Sequence, residues 1–119
     1  MCFQIIVYIL KSANYISAIR KLAVIQANKK LLAKFGCLNL MKVIVETGDK
    51  DEIPLALGVL TQLAFDEDNA KWIDKEMRKL LESKFVGHKS RKLRTAAQEL
   101  KWNIDRKTGK GECRSFIFC

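Results

Sequence analysis

Residues 56–64 read ALGVLTQLA, and two other segments of this 119-residue chain align with them, AIRKLAVIQ at 18–26 and AAQELKWNI at 96–104. Each segment begins with alanine and has leucine four positions later, and the copies start 38 and then 40 residues apart. Because positions i and i+4 lie on one face of a helix, each pair predicts a buried seam that a neighbouring helix can approach closely. The three pairs are Ala18/Leu22, Ala56/Leu60 and Ala96/Leu100.

A second repeated pattern precedes the later two copies, NKKLLAKFG at 28–36 and NAKWIDKE at 69–76. Each begins with asparagine, whose side-chain oxygen can accept a first-turn N–H, so each predicts a helix N-cap. Amphipathic stretches with helical spacing follow at 37–46 and 77–86. The predicted unit is therefore a short, a medium and a long third helix, repeating every ~40 residues.

The predicted breaks between helices coincide with residues that favour turns. Gly36 can take a positive φ and end the first short helix. The loop GDKDE at 48–52 precedes Pro54, which falls near the first turn of a helix, where its missing N–H costs little. GHKS at 87–90 is the matching break before the last long helix.

The chain opens with the apolar run FQIIVYIL at 3–10, which is shorter than the ~20 residues that cross a bilayer. We interpret CFQIIVYIL at 2–10 as a medium helix and SANYISAIRKLAVIQ at 12–26 as a long one, so the first unit lacks its short helix. This arrangement predicts that the chain is a fragment or that it self-associates through the N-terminal apolar helix. A membrane partner is not expected.

These features together resemble the armadillo repeat family. The resemblance rests on the Ala-x-x-x-Leu seam, the Asn-led short helix, Gly36 and the ~40-residue period, and it covers roughly residues 3–107. It implies an all-α fold, a right-handed α-solenoid of about two and two-thirds armadillo-like repeats, in a domain at 1–107. HEAT repeats, which have two helices per unit, remain the alternative subtype.

The C-terminal segment 108–119 reads as a basic linker and the start of a truncated following domain, because SFIFC at 115–119 is typical of a first strand. This junction resembles invertebrate proteins in which armadillo repeats run into a Toll/interleukin-receptor domain. The resemblance implies an alternative function, a regulatory fragment of a larger armadillo–Toll/interleukin-receptor signalling protein.

The charge of the chain, +9 overall, is unevenly distributed. Residues 1–45 hold seven Lys/Arg and no acid, residues 46–83 hold five bases and ten acids, and residues 84–119 hold ten bases and three acids. A basic chain can bind nucleic acid, acidic protein or anionic lipid, but the acidic middle argues against one continuous phosphate-binding stripe. Nucleic acid is therefore the alternative to a protein partner.

No catalytic, cofactor-binding or metal-binding constellation is predicted. No two of the four cysteines have CxxC spacing, and His88 is the single histidine, so a zinc site has no sequence support. The cysteines of this Lys-rich chain favour free thiols in a reducing, cytoplasmic location.

The expected function is a non-catalytic protein–protein interaction scaffold. Stacked third helices would present a surface that binds a partner segment. The predicted partner-binding residues on that surface are Arg20, Gln62, Arg94, Gln98 and Trp102.

Two features of this surface have more than one interpretation. Trp102 is either an anchor of the surface or a packing residue. The family's peptide-binding Trp-x-x-x-Asn pattern is absent, because Arg106 follows Trp102 four positions later. The basic run from Lys84 to Arg94 is either a contact for acidic protein or phosphate, or a solvated helix face.

Overall fold

The computed structural model describes residues 13–85 and 87–109, and this part of the chain contains helices and no strand. The all-α prediction is therefore confirmed for these residues. The helices are α1 (Ala13–Ala23), α2 (Gln26–Lys34), α3 (Cys37–Thr47), α4 (Glu52–Leu63), α5 (Glu67–Lys84) and α6 (Arg91–Thr108).

Several predictions fall on parts of the chain outside these residues. They concern the N-terminal helix at 2–10, the linker beyond Gly109, the segment SFIFC at 115–119, and Cys2, Cys113 and Cys119.

The predicted breaks at Gly36, at 48–52 and at 87–90 are confirmed. Gly36 separates α2 from α3 with φ 91°, a conformation that glycine adopts without a steric penalty. Pro54 is the third residue of α4, within its first turn. Ser90 caps the N-terminus of α6, where its hydroxyl oxygen accepts a hydrogen bond from the Leu93 N–H at 3.3 Å.

The predicted break between the second short and medium helices is wrong, because α5 continues for 18 residues across that point. The sequence there is Lys75-Glu76-Met77-Arg78, four residues with high helix propensity and no glycine. In one repeat unit, α2 and α3 thus precede the long helix α4. In the next unit, the single helix α5 precedes the long helix α6.

The prediction that Asn28 and Asn69 are N-caps is also wrong. Helix α2 begins at Gln26, and the N-cap of α5 is Asp66, whose carboxylate accepts a hydrogen bond from the Asn69 N–H at 3.1 Å. Asp66 also forms an ion pair with Lys30 at 3.1 Å. The carboxylate thus satisfies a first-turn donor and holds a neighbouring helix.

The two asparagines nevertheless play the same role as each other. The Asn28 Nδ2 donates to the Leu22 carbonyl at 3.0 Å, and the Asn69 Nδ2 donates to the Leu63 carbonyl at 3.0 Å. In both cases the acceptor lies six residues earlier, at the end of the preceding long helix. The repeated asparagine therefore joins one helix to the next by a side-chain amide.

Helix α4 lies between α1 and α6 and contacts both, and α3 contacts α5. The seam residues Ala56, Leu60 and Leu100 are buried and Ala96 is half-buried, as predicted. Helix α4 contributes seven buried residues to the core, more than any other helix.

The seam prediction is wrong for α1, because Ala18 is exposed and the Leu22 side chain is 50% exposed. This helix instead buries Ile16 and Ala23. Ile16 lies 40 residues before Ala56, the spacing that also relates the second and third copies. The original alignment was therefore two residues out of register, which on a helix is a rotation of about 200° to the opposite face.

Replacing Asn69 with alanine should lower the free energy of unfolding by about 1–3 kcal/mol, since its buried amide donates to the carbonyls of Leu63 and Lys29. Urea denaturation of the full chain measures this. The matched control is Asn39→Ala on the exposed side of α3, expected within about 0.5 kcal/mol of the parent. Equal effects of the two substitutions would contradict the structural role of Asn69.

Candidate functional site

A groove with a volume of about 380 Å³ runs between the C-terminal part of α5 and helix α6. Arg94, Gln98 and Trp102 line it from α6, where their i, i+4, i+8 spacing places them on one exposed stripe. Leu81 of α5 and Phe85, directly after α5, line the opposite wall and are buried. The groove thus combines an apolar floor with a polar and aromatic rim.

The short loop between α5 and α6 forms the end of the groove near the start of α6, and hydrogen bonds within the loop stabilise it. The Ser90 N–H donates to His88 Nδ1 at 2.9 Å, and the loop includes Gly87 at φ 78°. The Arg94 guanidinium donates to the carbonyl of His88 and, at 3.2 Å, to that of Lys89. Arg94 is therefore anchored to the loop.

Ion pairs also join α5 to α6. Arg78 pairs with Asp105, and Glu82 pairs with Lys101 at 3.8 Å. Burial by itself lowers the pKa of Arg78, but the hydrogen bonds and charges of Asp74 and Asp105 outweigh that effect and raise it. These contacts join the two helices that form the groove.

The structure brings together three of the five predicted partner-binding residues, Arg94, Gln98 and Trp102. Arg20 instead lies over α4, where a Cβ at Gly58 would come within 3.2 Å of its Nε. Gln62 is half-buried near the end of α4. Neither lines the groove.

Sequence reasoning missed the α5 wall of the groove. Leu81 and Phe85 are apolar residues of the amphipathic stretch predicted at 77–86, and both are buried. Their i, i+4 spacing placed them on one face, but which neighbour that face meets depends on how α5 packs against α6. A signal for the groove itself is absent from the local pattern.

Charge is asymmetric along the groove. Residues 83–98 contain five Lys/Arg and no acid, and they include Arg94 and the loop before α6. Toward the other end, Glu99 and Lys101 both line the groove. The basic end therefore lies at the start of α6, and the aromatic end at Trp102.

The described residues include one cysteine, Cys37, and it is buried. Burial raises the pKa of the Cys37 thiol to about 12, so it stays protonated at neutral pH. Within residues 13–85 and 87–109, no three His, Cys, Asp or Glu side chains cluster as metal ligands would. The arrangement offers shape, apolar contact and positive charge.

Among the described residues, no helix combines the length and the hydropathy needed to cross a bilayer.

No protein-family profile, curated protein or solved structure matches this chain.

Proposed function

We propose that this chain is a non-catalytic protein–protein interaction module that holds a partner segment in the groove between α5 and α6. The observation that carries this proposal is the position of Trp102, which is 53% exposed and lines the groove together with the buried Leu81 and Phe85. Tryptophan is enriched among the residues that dominate binding energy at interfaces.

The proposal includes a right-handed α-solenoid of armadillo-like units in a cytoplasmic protein. Two observations support a repeating stack: α4 lies between α1 and α6, and Asn28 and Asn69 make equivalent bonds 41 residues apart. The continuous helix α5 brings its unit closer to the two-helix type than to the three-helix type. In such a stack the long helices present a common surface.

A protein segment fits the groove better than nucleic acid does, for two reasons. The floor is apolar, with Leu81, Phe85 and Ala97, and no series of aromatic platforms lies along the described groove residues. Glu99 also lines the groove and would repel a phosphate backbone.

Trp102→Ala should weaken binding of groove-directed peptides at least ~30-fold, about 2 kcal/mol, since a truncated hot spot loses its contact area. The peptides are obtained by selecting a random display library on the immobilised full chain, and affinity is measured by fluorescence anisotropy. Circular dichroism verifies that the variant is folded.

The matched control is Phe35→Ala, which removes a 79% exposed aromatic side chain from the end of α2, outside the groove. It should leave the affinity within about twofold of the parent. Selected peptides that bind the Trp102→Ala chain as tightly as the parent would refute the proposed site.

A further inference from the structure

Resting on the proposed binding role of this groove, we propose that its partner is an acidic protein segment with a fixed polarity. In this complex, an apolar side chain of the partner contacts Trp102, and carboxylates of the partner lie about 12 Å away, beside Arg94. The distance follows from the eight residues that separate Arg94 and Trp102 at ~1.5 Å of rise each. It corresponds to three or four residues of an extended segment at ~3.3 Å each, or to about two turns of a helix.

The positive charge at the Arg94 end comes from side chains and from backbone. Arg91, Lys92 and Arg94 are exposed in the first turn of α6, and Lys89 is exposed in the loop before it. The N-terminus of α6 adds the positive end of its helix dipole. Between Glu82 and Glu99 the sequence has no acid to neutralise this end.

Arg94 is the groove residue that a carboxylate of the partner would contact. Its bonds to the carbonyls of His88 and Lys89 use Nη1. Bidentate recognition of a carboxylate by arginine uses two parallel N–H groups, such as those on Nη2 and Nε. Because the loop fixes the guanidinium, less side-chain entropy is lost when a partner binds.

The opposite end of the groove offers an apolar side chain more than it offers a carboxylate. Glu99 lines the groove three residues before Trp102, and the charge of Lys101 is already compensated by Glu82 at 3.8 Å. A carboxylate of the partner near Trp102 would lie between Glu99 and the exposed Arg106, one turn beyond Trp102, whereas an apolar side chain would meet the indole and the floor. The two ends therefore select different chemistry, and this difference fixes the polarity of the segment.

Peptide selection on the native full chain tests the charge of the partner directly. Peptides of about 12 residues selected at moderate salt should be rich in Asp and Glu and carry an aromatic or aliphatic residue. Their affinity for the unmodified chain should fall at least threefold between about 50 and about 500 mM salt, since exposed charges are screened. This readout needs no variant and so does not depend on how any substitution folds.

Charge reversal then locates the contact. Arg94→Glu should lower the affinity for the acidic peptides at least ~10-fold, because the new carboxylate repels them. Arg94→Gln should lower it by a smaller factor, because this substitution only removes an attraction. The matched control, Lys75→Glu, makes the same charge change on an exposed position of α5 outside the groove, and should change affinity less than twofold.

The outcomes separate this inference from the proposed function. Neutral or basic peptides that still depend on Trp102 would overturn the acidic segment and leave the binding module intact. Peptides indifferent to Trp102→Ala would overturn both. A single-stranded oligonucleotide that displaces the peptides, and loses affinity with Arg94→Glu, would overturn the acidic segment in favour of nucleic acid.

Discussion

Leu60→Ala and Leu100→Ala should each lower the free energy of unfolding by about 2–5 kcal/mol, whereas Leu22→Ala should lower it by less than about 1 kcal/mol. Leu60 and Leu100 are fully buried, on α4 and α6, so their truncation removes apolar contacts and leaves a cavity. Leu22 is half exposed, so its truncation removes few buried contacts. The same chemical change thus has different effects at three positions that look equivalent in the sequence.

Urea denaturation of the three single variants, with the slope of the transition compared to the parent, measures these differences. Leu22 serves as the internal control, because it has the same side chain, the same substitution and a helical position. A loss at Leu22 as large as that at Leu60 would mean that α1 packs in the register originally predicted from sequence.

Alkylation of Cys37 in the folded chain should be about 10³-fold slower than alkylation of an ordinary cysteine at about pH 8. The thiolate is the reactive form, and burial raises the pKa of this thiol to about 12, so the thiolate fraction is smaller by roughly that factor. A variant with serine at positions 2, 113 and 119 isolates Cys37, and iodoacetamide uptake is followed by mass spectrometry.

The control is the same variant in concentrated guanidinium, where Cys37 should react at the ordinary rate. The raised pKa also fixes the sign of a pH effect. As the pH rises above 9.0, the ordinary pKa of a cysteine, only the unfolded chain ionises this thiol. The contribution of the buried thiol to stability is therefore present below pH 9.0 and is lost as the pH approaches about 12. Fast labelling of the folded variant would show that α3 does not bury this residue.

The sequence was sufficient to predict the all-α class and the positions of most breaks between helices. Gly36 and Pro54 were informative because each restricts the backbone locally, through a positive φ or a missing N–H. Such constraints act within a few residues and do not depend on the neighbouring helices. The all-α class follows from the same local spacing of apolar side chains.

The register of α1 could not be obtained the same way. Two alignments of the first segment differ by two residues, and the Ala18/Leu22 pair matched the motif better than Ile16 did. The buried face is chosen by contact with α4, where Arg20 packs over Gly58. That choice is made by tertiary packing, which a nine-residue pattern does not contain.

The binding surface was partly predictable for a related reason. Arg94, Gln98 and Trp102 share one helix, so their common face follows from helical periodicity alone. Adding Arg20 and Gln62 required knowledge of how separate helices align, and the structure places neither in the groove. Phe85, which also lines the groove, directly follows α5, the helix for which the sequence predicted an internal break.

The undivided helix α5 has a mechanical consequence. Its 18 residues form a rod of about 27 Å, fixed near one end by the amide of Asn69 and reaching the groove through Leu81 and, just beyond its last turn, Phe85. A rod with no glycine within it transmits a tilt at one end to the other instead of absorbing it at a hinge. The Asn69 junction and the Leu81 wall of the groove are therefore carried by one continuous helix.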